Sequence, residues 1–204
     1  MPGIIAKSWL GFTAAAALFA AGCASDNSAH YVDTNGPNTV VTVHGIDPQD
    51  WNRAGSDMVQ SLLNSGTLDK APRTPAHLAI SRIKNETEEE VDVDLLTKNI
   101  RVALLQSGKA VTSTTIGLGG NAEDPLAKGT QQQNQFYGAT NNAPPDLPDY
   151  TLSGKIIQED VHAGDVHQAT YTFQLSLTDT KSGYTVWEDQ KQITKQGEHA
   201  GVGW

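Results

Sequence analysis

Cys23 is the only cysteine in this chain of 204 residues, and this limits how the protein can fold. It follows Leu18-Phe19-Ala20-Ala21-Gly22 near the start of the chain, ahead of every segment with a regular apolar pattern. A single cysteine cannot form an internal disulfide. The fold must therefore rest on its hydrophobic core, without support from a disulfide.

The first 22 residues have the pattern of a secretory signal that ends at a lipidated cysteine. One cation, Lys7, precedes an uncharged stretch from Ser8 to Gly22, which is too short and wrongly flanked for a membrane-spanning helix. The small residues before Cys23 suit the pocket of a lipoprotein signal peptidase, and its thiol would carry the diacylglycerol thioether. The alternative is an ordinary signal peptide that happens to contain a cysteine.

This pattern predicts export and a lipid anchor. We expect residues 1–22 to be a lipoprotein signal peptide and Cys23 to be the lipidation site that holds the protein to a membrane. Ala24 comes next, whereas an aspartate at that position usually indicates retention in the inner membrane. The predicted location is the periplasmic face of the outer membrane.

Charge and motifs exclude several functions. The formal net charge is −9 and the 14 lysines and arginines are scattered, which argues against nucleic acid as a partner. The sequence has no Gly-x-Ser-x-Gly elbow, Walker-type loop or His-Glu-x-x-His motif, and Gly117-Leu118-Gly119-Gly120 lacks the Lys-Ser/Thr of a phosphate-binding loop. We therefore expect no enzymatic activity, no cofactor and no small-molecule substrate.

A flexible tether is predicted between the lipidated cysteine and a globular domain. Residues 24–39 are small and polar without an apolar period, and Val40-Val41-Thr42-Val43 is either an ordered edge or the docking end of the tether. We place the lipidated cysteine and tether at residues 23–49 and the domain at residues 50–204. Fully extended, residues 24–49 would span at most about 90 Å at ~3.4 Å per residue. A movable tether predicts a monomer, although exposed edge strands could pair.

The domain begins with a predicted helix and strand. Pro48 and Asp50 suit a helix start, and Asn64-Ser65-Gly66 suits its end. A strand follows between Pro75 and Asn85. The apolar residues that define the two elements are Trp51, Ala54, Met58, Val59, Leu62 and Leu63, and then Leu78, Ala79, Ile80 and Ile83.

A second helix and strand are predicted next. Asp92 or Asp94 could cap the helix, and Gly108 lies where a C-terminal glycine belongs. The acidic residues around its start are explained by the helix dipole and solvation better than by a metal site. Residues 110–116 then form a short strand.

The C-terminal third predicts an antiparallel meander with one buried face. Tyr150, Leu152 and Ile156 share one side of a strand, and a second strand alternates strictly between Tyr171 and Leu177. Lys181-Ser182-Gly183 then turns into a third strand. Together with the earlier elements, this order predicts a single small α/β domain with a mixed sheet of four or five strands, covered on one side by helices.

Other features carry weaker predictions. Residues 117–149 are rich in Gly, Asn and Pro, although Asp124-Pro125 could cap a short helix through Phe136-Tyr137. His162 and His167 accompany Asp160 and Asp165 in a loop that could bind zinc, but two solvent-exposed histidines are the commoner arrangement. We therefore predict no metal site.

The tryptophans could serve as interface anchors. For Trp51 and Trp187 we favour core packing. Trp204 ends a glycine-containing tail and either folds back onto the sheet or faces a partner.

From about Asp47 to Gln196 the chain resembles the LpoB-type lipoproteins. Several short segments, in the same order, carry the resemblance together with the lipidation signal. They are Asp50-Trp51, Ile83-Lys84-Asn85-Glu86-Thr87, Ile100 to Lys109, Asp149 to Ile156 and Leu175 to Trp187.

The resemblance implies a fold similar to the amino-terminal domain of TolB, which binds partners without catalysis. It also implies that the protein reaches from the outer membrane, binds a class A penicillin-binding protein and stimulates peptidoglycan synthesis. No contact residues can be transferred from the family to this chain.

Other functions stay open. An envelope protein of the same fold could be a structural or secretion-complex subunit with another partner. An envelope enzyme or sugar-binding module would need a polar cluster in a pocket.

Overall fold

The computed structural model describes residues 31–116 apart from 35, 38, 43 and 44, then residues 124, 126 and 129, and residues 147–198. The described elements are α1 (Pro48–Asn64), a 3-10 turn (Leu68–Lys70), β1 (Ala76–Ile80), β2 (Lys84–Glu86), α2 (Val93–Gln106), β3 (Ala110–Ile116), β4 (Tyr150–Ala163), β5 (Val166–Asp179) and β6 (Thr185–Glu198). In these ranges, neither helix has the length and apolar character that crossing a membrane requires.

The described strands form one mixed sheet in the order β3-β1-β4-β5-β6. β1 runs parallel to β3 and β4, whereas β4, β5 and β6 are antiparallel. Short β2 pairs with β4 beside β1 and raises the number of described strands to six. The predicted single α/β domain with a mixed sheet is therefore confirmed, with one more strand than expected.

α1 forms where its apolar period predicts. Trp51, Ala54, Met58 and Leu62 are buried against the sheet, and the chain leaves the helix at Gly66 with a φ of +68°. That angle lies in the left-handed region that glycine tolerates best. The predicted end of the helix is confirmed.

Asp92 is the residue that caps α2. Its carboxylate accepts a hydrogen bond from the backbone N–H of Leu95 at 3.0 Å and so satisfies one of the free donors of the first turn. Gly108, with a φ of +70°, follows the C-cap residue Ser107. Leu96, Ile100 and Leu104 then face the core.

The predicted strand from Leu78 to Ile83 is wrong in its second half. β1 ends at Ile80, opposite Leu152, and pairing resumes when Lys84 lies opposite Lys155. The segment from Ile80 to Lys84 is one residue longer than the segment of β4 that lies opposite it, so a bulge separates β1 from β2. Ile83 is buried in the core between the two strands.

The C-terminal meander has one apolar face, as predicted. β4, β5 and β6 each have 14 residues. Register places Leu152 opposite Leu177 and Ile156 opposite Phe173, and Phe173 contacts Trp51 of α1 edge to face with ring centroids 5.8 Å apart. The helices therefore cover the face of the sheet that these residues share.

The expected short helix near Asp124 lies largely outside the described residues. Just before β4, Asp149 holds the start of that strand against β1. Its carboxylate accepts hydrogen bonds from Arg73 Nε and from the backbone N–H of His77, both at 2.9 Å. The parallel pairing of β1 and β4 begins beside these two bonds.

Candidate functional site

A buried ion cluster joins the segment before α1 to the last strand. Lys195 of β6 is only 7% exposed, and its Nζ lies 2.7 Å from Asp47 Oδ2 and 2.6 Å from Asp50 Oδ2. The same Nζ donates to the carbonyl oxygen of Gly45 at 2.9 Å. We call Gly45, Asp47, Asp50, Tyr171 and Lys195 the Lys195 clamp.

Tyr171 supplies the second attachment in the clamp. Its hydroxyl oxygen accepts the backbone N–H of Gly45 at 2.8 Å, while its ring is fully buried in β5. Gly45 has a φ of +93°, a conformation that suits glycine. Both backbone polar groups of Gly45 are therefore held by side chains of the meander.

Asp47 and Asp50 also organise the beginning of α1. The backbone N–H of Asp47 donates to Asp50 Oδ2 at 2.8 Å. Asp47 in turn accepts from the N–H and the hydroxyl of Thr42, at 2.9 and 3.0 Å. One set of carboxylates thus caps the helix, binds Lys195 and orders the chain back to Thr42.

Lys195 and Asp47 of the clamp stay ionised across a wide pH range. Burial alone would lower the pKa of Lys195, but its hydrogen bonds to Asp47 and Asp50 outweigh burial and hold the pKa above the ordinary value of 10.5. Burial alone would raise the pKa of Asp47, but Lys195 and Thr42 hold it below 3.8. The attachment is therefore permanent at neutral pH, and its chemistry suits positioning rather than proton transfer.

The hairpin that joins β4 to β5 contains the histidines that the sequence singled out. His167 is only 4% exposed, and its Nε2 lies 3.0 Å from Asp160 Oδ1. The exposed His162 stacks on it, with ring centroids 4.4 Å apart. The expectation of two solvent-exposed histidines is wrong for His167, because it occupies an inward position of β5.

Among the described residues, no group of three or more His, Cys, Asp or Glu side chains is arranged to hold a metal ion. Asp165 is exposed at the hairpin turn.

The other predicted site residues are placed as follows. Trp51 is buried in the core, as predicted, and Trp187 is half-buried against it. Cys23 and Trp204 lie outside the described residues. Three apolar side chains, Leu95, Val102 and Leu105, are exposed on the outer side of α2.

Sequence reasoning missed the Lys195 clamp. The signal was available, because Lys195 lies two residues after Ile193 and so has the inward orientation of that strand. The pattern could not identify the partners of Lys195, because Asp47 and Asp50 precede it by more than 140 residues.

Comparison with known families gives a match over most of the domain. The family model described as "Peptidoglycan-synthase activator LpoB" matches residues 50–193. No curated protein sequence matches the chain.

Solved structures give similar chains at low identity. The LpoB C-terminal domain from Escherichia coli is 17% identical, with a TM-score of 0.43, and the match covers 72% of this chain and 99% of that one. The nuclear magnetic resonance structure of E. coli LpoB is 17% identical with a TM-score of 0.41, and the match covers 97% of this chain and 85% of that one. Lipoprotein GNA1162 from Neisseria meningitidis is 16% identical with a TM-score of 0.38, and the match covers 60% of this chain and 84% of that one.

Proposed function

The chain belongs to the peptidoglycan-synthase activator LpoB family, and from that premise we propose that it is an outer-membrane lipoprotein that binds and stimulates a class A penicillin-binding protein. The observation that carries the proposal is the family match over residues 50–193, which spans α2, all but the first two residues of α1 and all but the last residues of the meander. The family is one of activators rather than enzymes. The protein would therefore act by binding the synthase, and the chemistry would belong to the synthase.

The lipid anchor is part of the proposal. Cys23 would carry the acyl chains, and the chain beyond it would connect the outer membrane to the domain. The Lys195 clamp supports this arrangement, because it fixes the point at which the connecting segment joins the sheet.

The clamp also sets the reach of the domain from the membrane. Because Asp47 already holds Thr42 and the meander holds Gly45, only residues 24–41 can act as a free connection. Fully extended, they would span at most about 60 Å at ~3.4 Å per residue. The synthase would have to present its docking domain within that distance of the outer membrane.

Reconstitution tests the proposal directly. The lipidated full chain would be mixed in detergent with a purified class A penicillin-binding protein and its lipid-linked disaccharide-peptide precursor. We expect the two proteins to associate, and we expect both glycan polymerisation and peptide cross-linking to become faster. Association without faster synthesis would reduce the function to docking, and a lack of association would contradict the proposal.

A Cys23→Ser chain is the matched control for the anchor. In detergent it should stimulate the synthase as well as the lipidated chain does, because the domain is unchanged. In cells it should be absent from the outer-membrane fraction and should fail to support synthesis. Equal outer-membrane recovery of both chains would refute the role of Cys23.

A further inference from the structure

β6 forms a long edge of the sheet. It pairs with β5 from Thr185 to Glu198, and no described strand pairs with its other side. Such an edge presents unpaired backbone groups that can bind another strand. Charged side chains on an edge strand often prevent pairing with a second strand. The positions of the charges on β6 therefore determine whether a second strand is repelled or is bound in one register.

The backbone of β6 fixes which residues face outward. The N–H of Gln190 donates to the carboxylate of its neighbour Asp189 at 2.8 Å, and therefore does not belong to the ladder with β5. Successive residues of a strand point their backbone N–H and C=O groups to opposite sides. Beyond the register shift that precedes Trp187, the even-numbered residues of β6 therefore turn their backbone groups outward. An antiparallel partner must then oppose even-numbered residues with even-numbered residues.

One register makes this edge complementary to itself. With a two-fold axis at Gln190, Asp189 faces Lys191 of the second copy, and Lys191 faces its Asp189. Moving the axis by one residue places either two copies of Asp189 or two copies of Lys191 face to face, and such like-charge pairs are destabilising. Among the registers centred on residues 189, 190 and 191, the charges on this edge therefore favour the one centred on Gln190.

The same register pairs the two half-buried apolar residues of the strand. Trp187 and Ile193 pack against the core but keep part of their surface exposed. With the axis at Gln190, Trp187 faces Ile193 of the second copy on the helix-bearing side of the sheet. Pairing would remove more of this apolar surface from water.

From these observations we propose that two copies of this chain associate through antiparallel pairing of β6 with β6, with the two-fold axis at Gln190. The N–H of Gln190 leaves the carboxylate of Asp189 and donates to the carbonyl of Gln190 in the other copy. Asp189 is then free to contact Lys191 of the other copy, which also pairs with Asp57 of its own chain. The two sheets become one continuous sheet.

Disulfide trapping tests the register. In the full Cys23→Ser chain, purified in mild detergent, Gln190→Cys introduces the only thiol, and the two thiols would lie opposite each other with Cα atoms about 5.5 Å apart, within disulfide range. Gln192→Cys is the matched control, because it has the same outward orientation and exposure. Residue 192 faces residue 188 of the second copy, so its two copies are separated by about 13 Å and cannot form a disulfide.

We expect mild oxidation to convert Gln190→Cys into a covalent dimer and to leave Gln192→Cys monomeric on a non-reducing gel. Equal dimer yields would indicate random collision and would overturn the proposal. The absence of a dimer from Gln190→Cys would overturn it as well.

Charge exchange gives an independent test, by sedimentation equilibrium in the Cys23→Ser chain. Asp189→Lys and Lys191→Asp should each weaken self-association about tenfold, because each places like charges opposite one another in both symmetric pairs. An equimolar mixture of the two variants should restore the original affinity, since each chain then meets the opposite charges. A mixture that stays as weakly associated as the separate variants would contradict the register.

Discussion

Replacement of Lys195 by methionine tests the buried ion pairs of the Lys195 clamp. Methionine keeps most of the apolar stem but removes the ammonium that Asp47 and Asp50 contact at 2.7 and 2.6 Å. Loss of one partner from a buried ion pair costs about 3–5 kcal/mol, because it leaves buried charge uncompensated. We expect about 3 kcal/mol, the lower end, since Thr42 still donates two hydrogen bonds to Asp47.

That loss is measurable by urea or thermal unfolding. For a domain of this size, about 3 kcal/mol corresponds to a fall in Tm of roughly 6–12 °C. Lys191→Met is the matched control, because Lys191 has the same orientation on β6 and also pairs with an aspartate, Asp57. Both members of that pair are exposed, so its loss should cost less than about 1 kcal/mol. Equal effects of the two substitutions would refute the idea that burial makes the Lys195 clamp strong.

The pH dependence of the clamp has a defined sign. The folded-state pKa of Asp47 is lowered, so its stabilising contribution is present above pH 3.8 and is lost as the pH falls through the folded-state value. The folded-state pKa of Lys195 is raised, so its contribution is present below pH 10.5 and is lost at higher pH. The difference in unfolding free energy between the wild type and Lys195→Met should therefore be largest between about pH 5 and 10 and should shrink below pH 3.8. A difference that stays constant down to pH 2 would contradict this explanation.

Two further substitutions test close contacts of the meander, and a third, in α1, is a control. Tyr171→Phe removes the hydroxyl that accepts the N–H of Gly45, so it should destabilise the domain by about 1–2 kcal/mol in urea unfolding. It should also speed proteolysis before residue 45. An unchanged cleavage rate would contradict the attachment of Gly45 to Tyr171. Gly154→Ala should cost more than about 2 kcal/mol, because its Cβ would lie 2.5 Å from the carbonyl oxygen of Gln174. Gly55→Ala in α1, whose nearest neighbour would be 3.4 Å away, should be neutral or stabilising, and similar losses at both glycines would refute the argument from close approach.

The periodic parts of the chain were predictable because their patterns are local. α1 repeats apolar residues at helical spacing, and β5 alternates strictly from Tyr171 to Leu177, so burial followed directly from the sequence. The same alternation extends back to Ala169 and His167, which are both buried. Extended by four residues, the alternation therefore places His167 on the buried face of β5.

The parts that were missed depend on contacts between distant residues. The break between β1 and β2 is set by the register against β4, which the local sequence does not encode. The Lys195 clamp needs two aspartates from the other end of the domain. A polar residue at an inward strand position shows that a buried partner is needed, but it does not identify that partner.

The clamp and the proposed β6 pairing have a joint geometric consequence. Antiparallel pairing about a two-fold axis perpendicular to the sheet keeps the helix-bearing faces of both copies on the same side. Lys195 lies on that face, so both chains would enter their domains from one side. With the axis at Gln190, the two copies of residue 195 are ten strand positions apart, or about 33 Å. Two connections that leave the same face at that separation can both run to one membrane, so self-association through β6 is compatible with lipid anchoring of both copies.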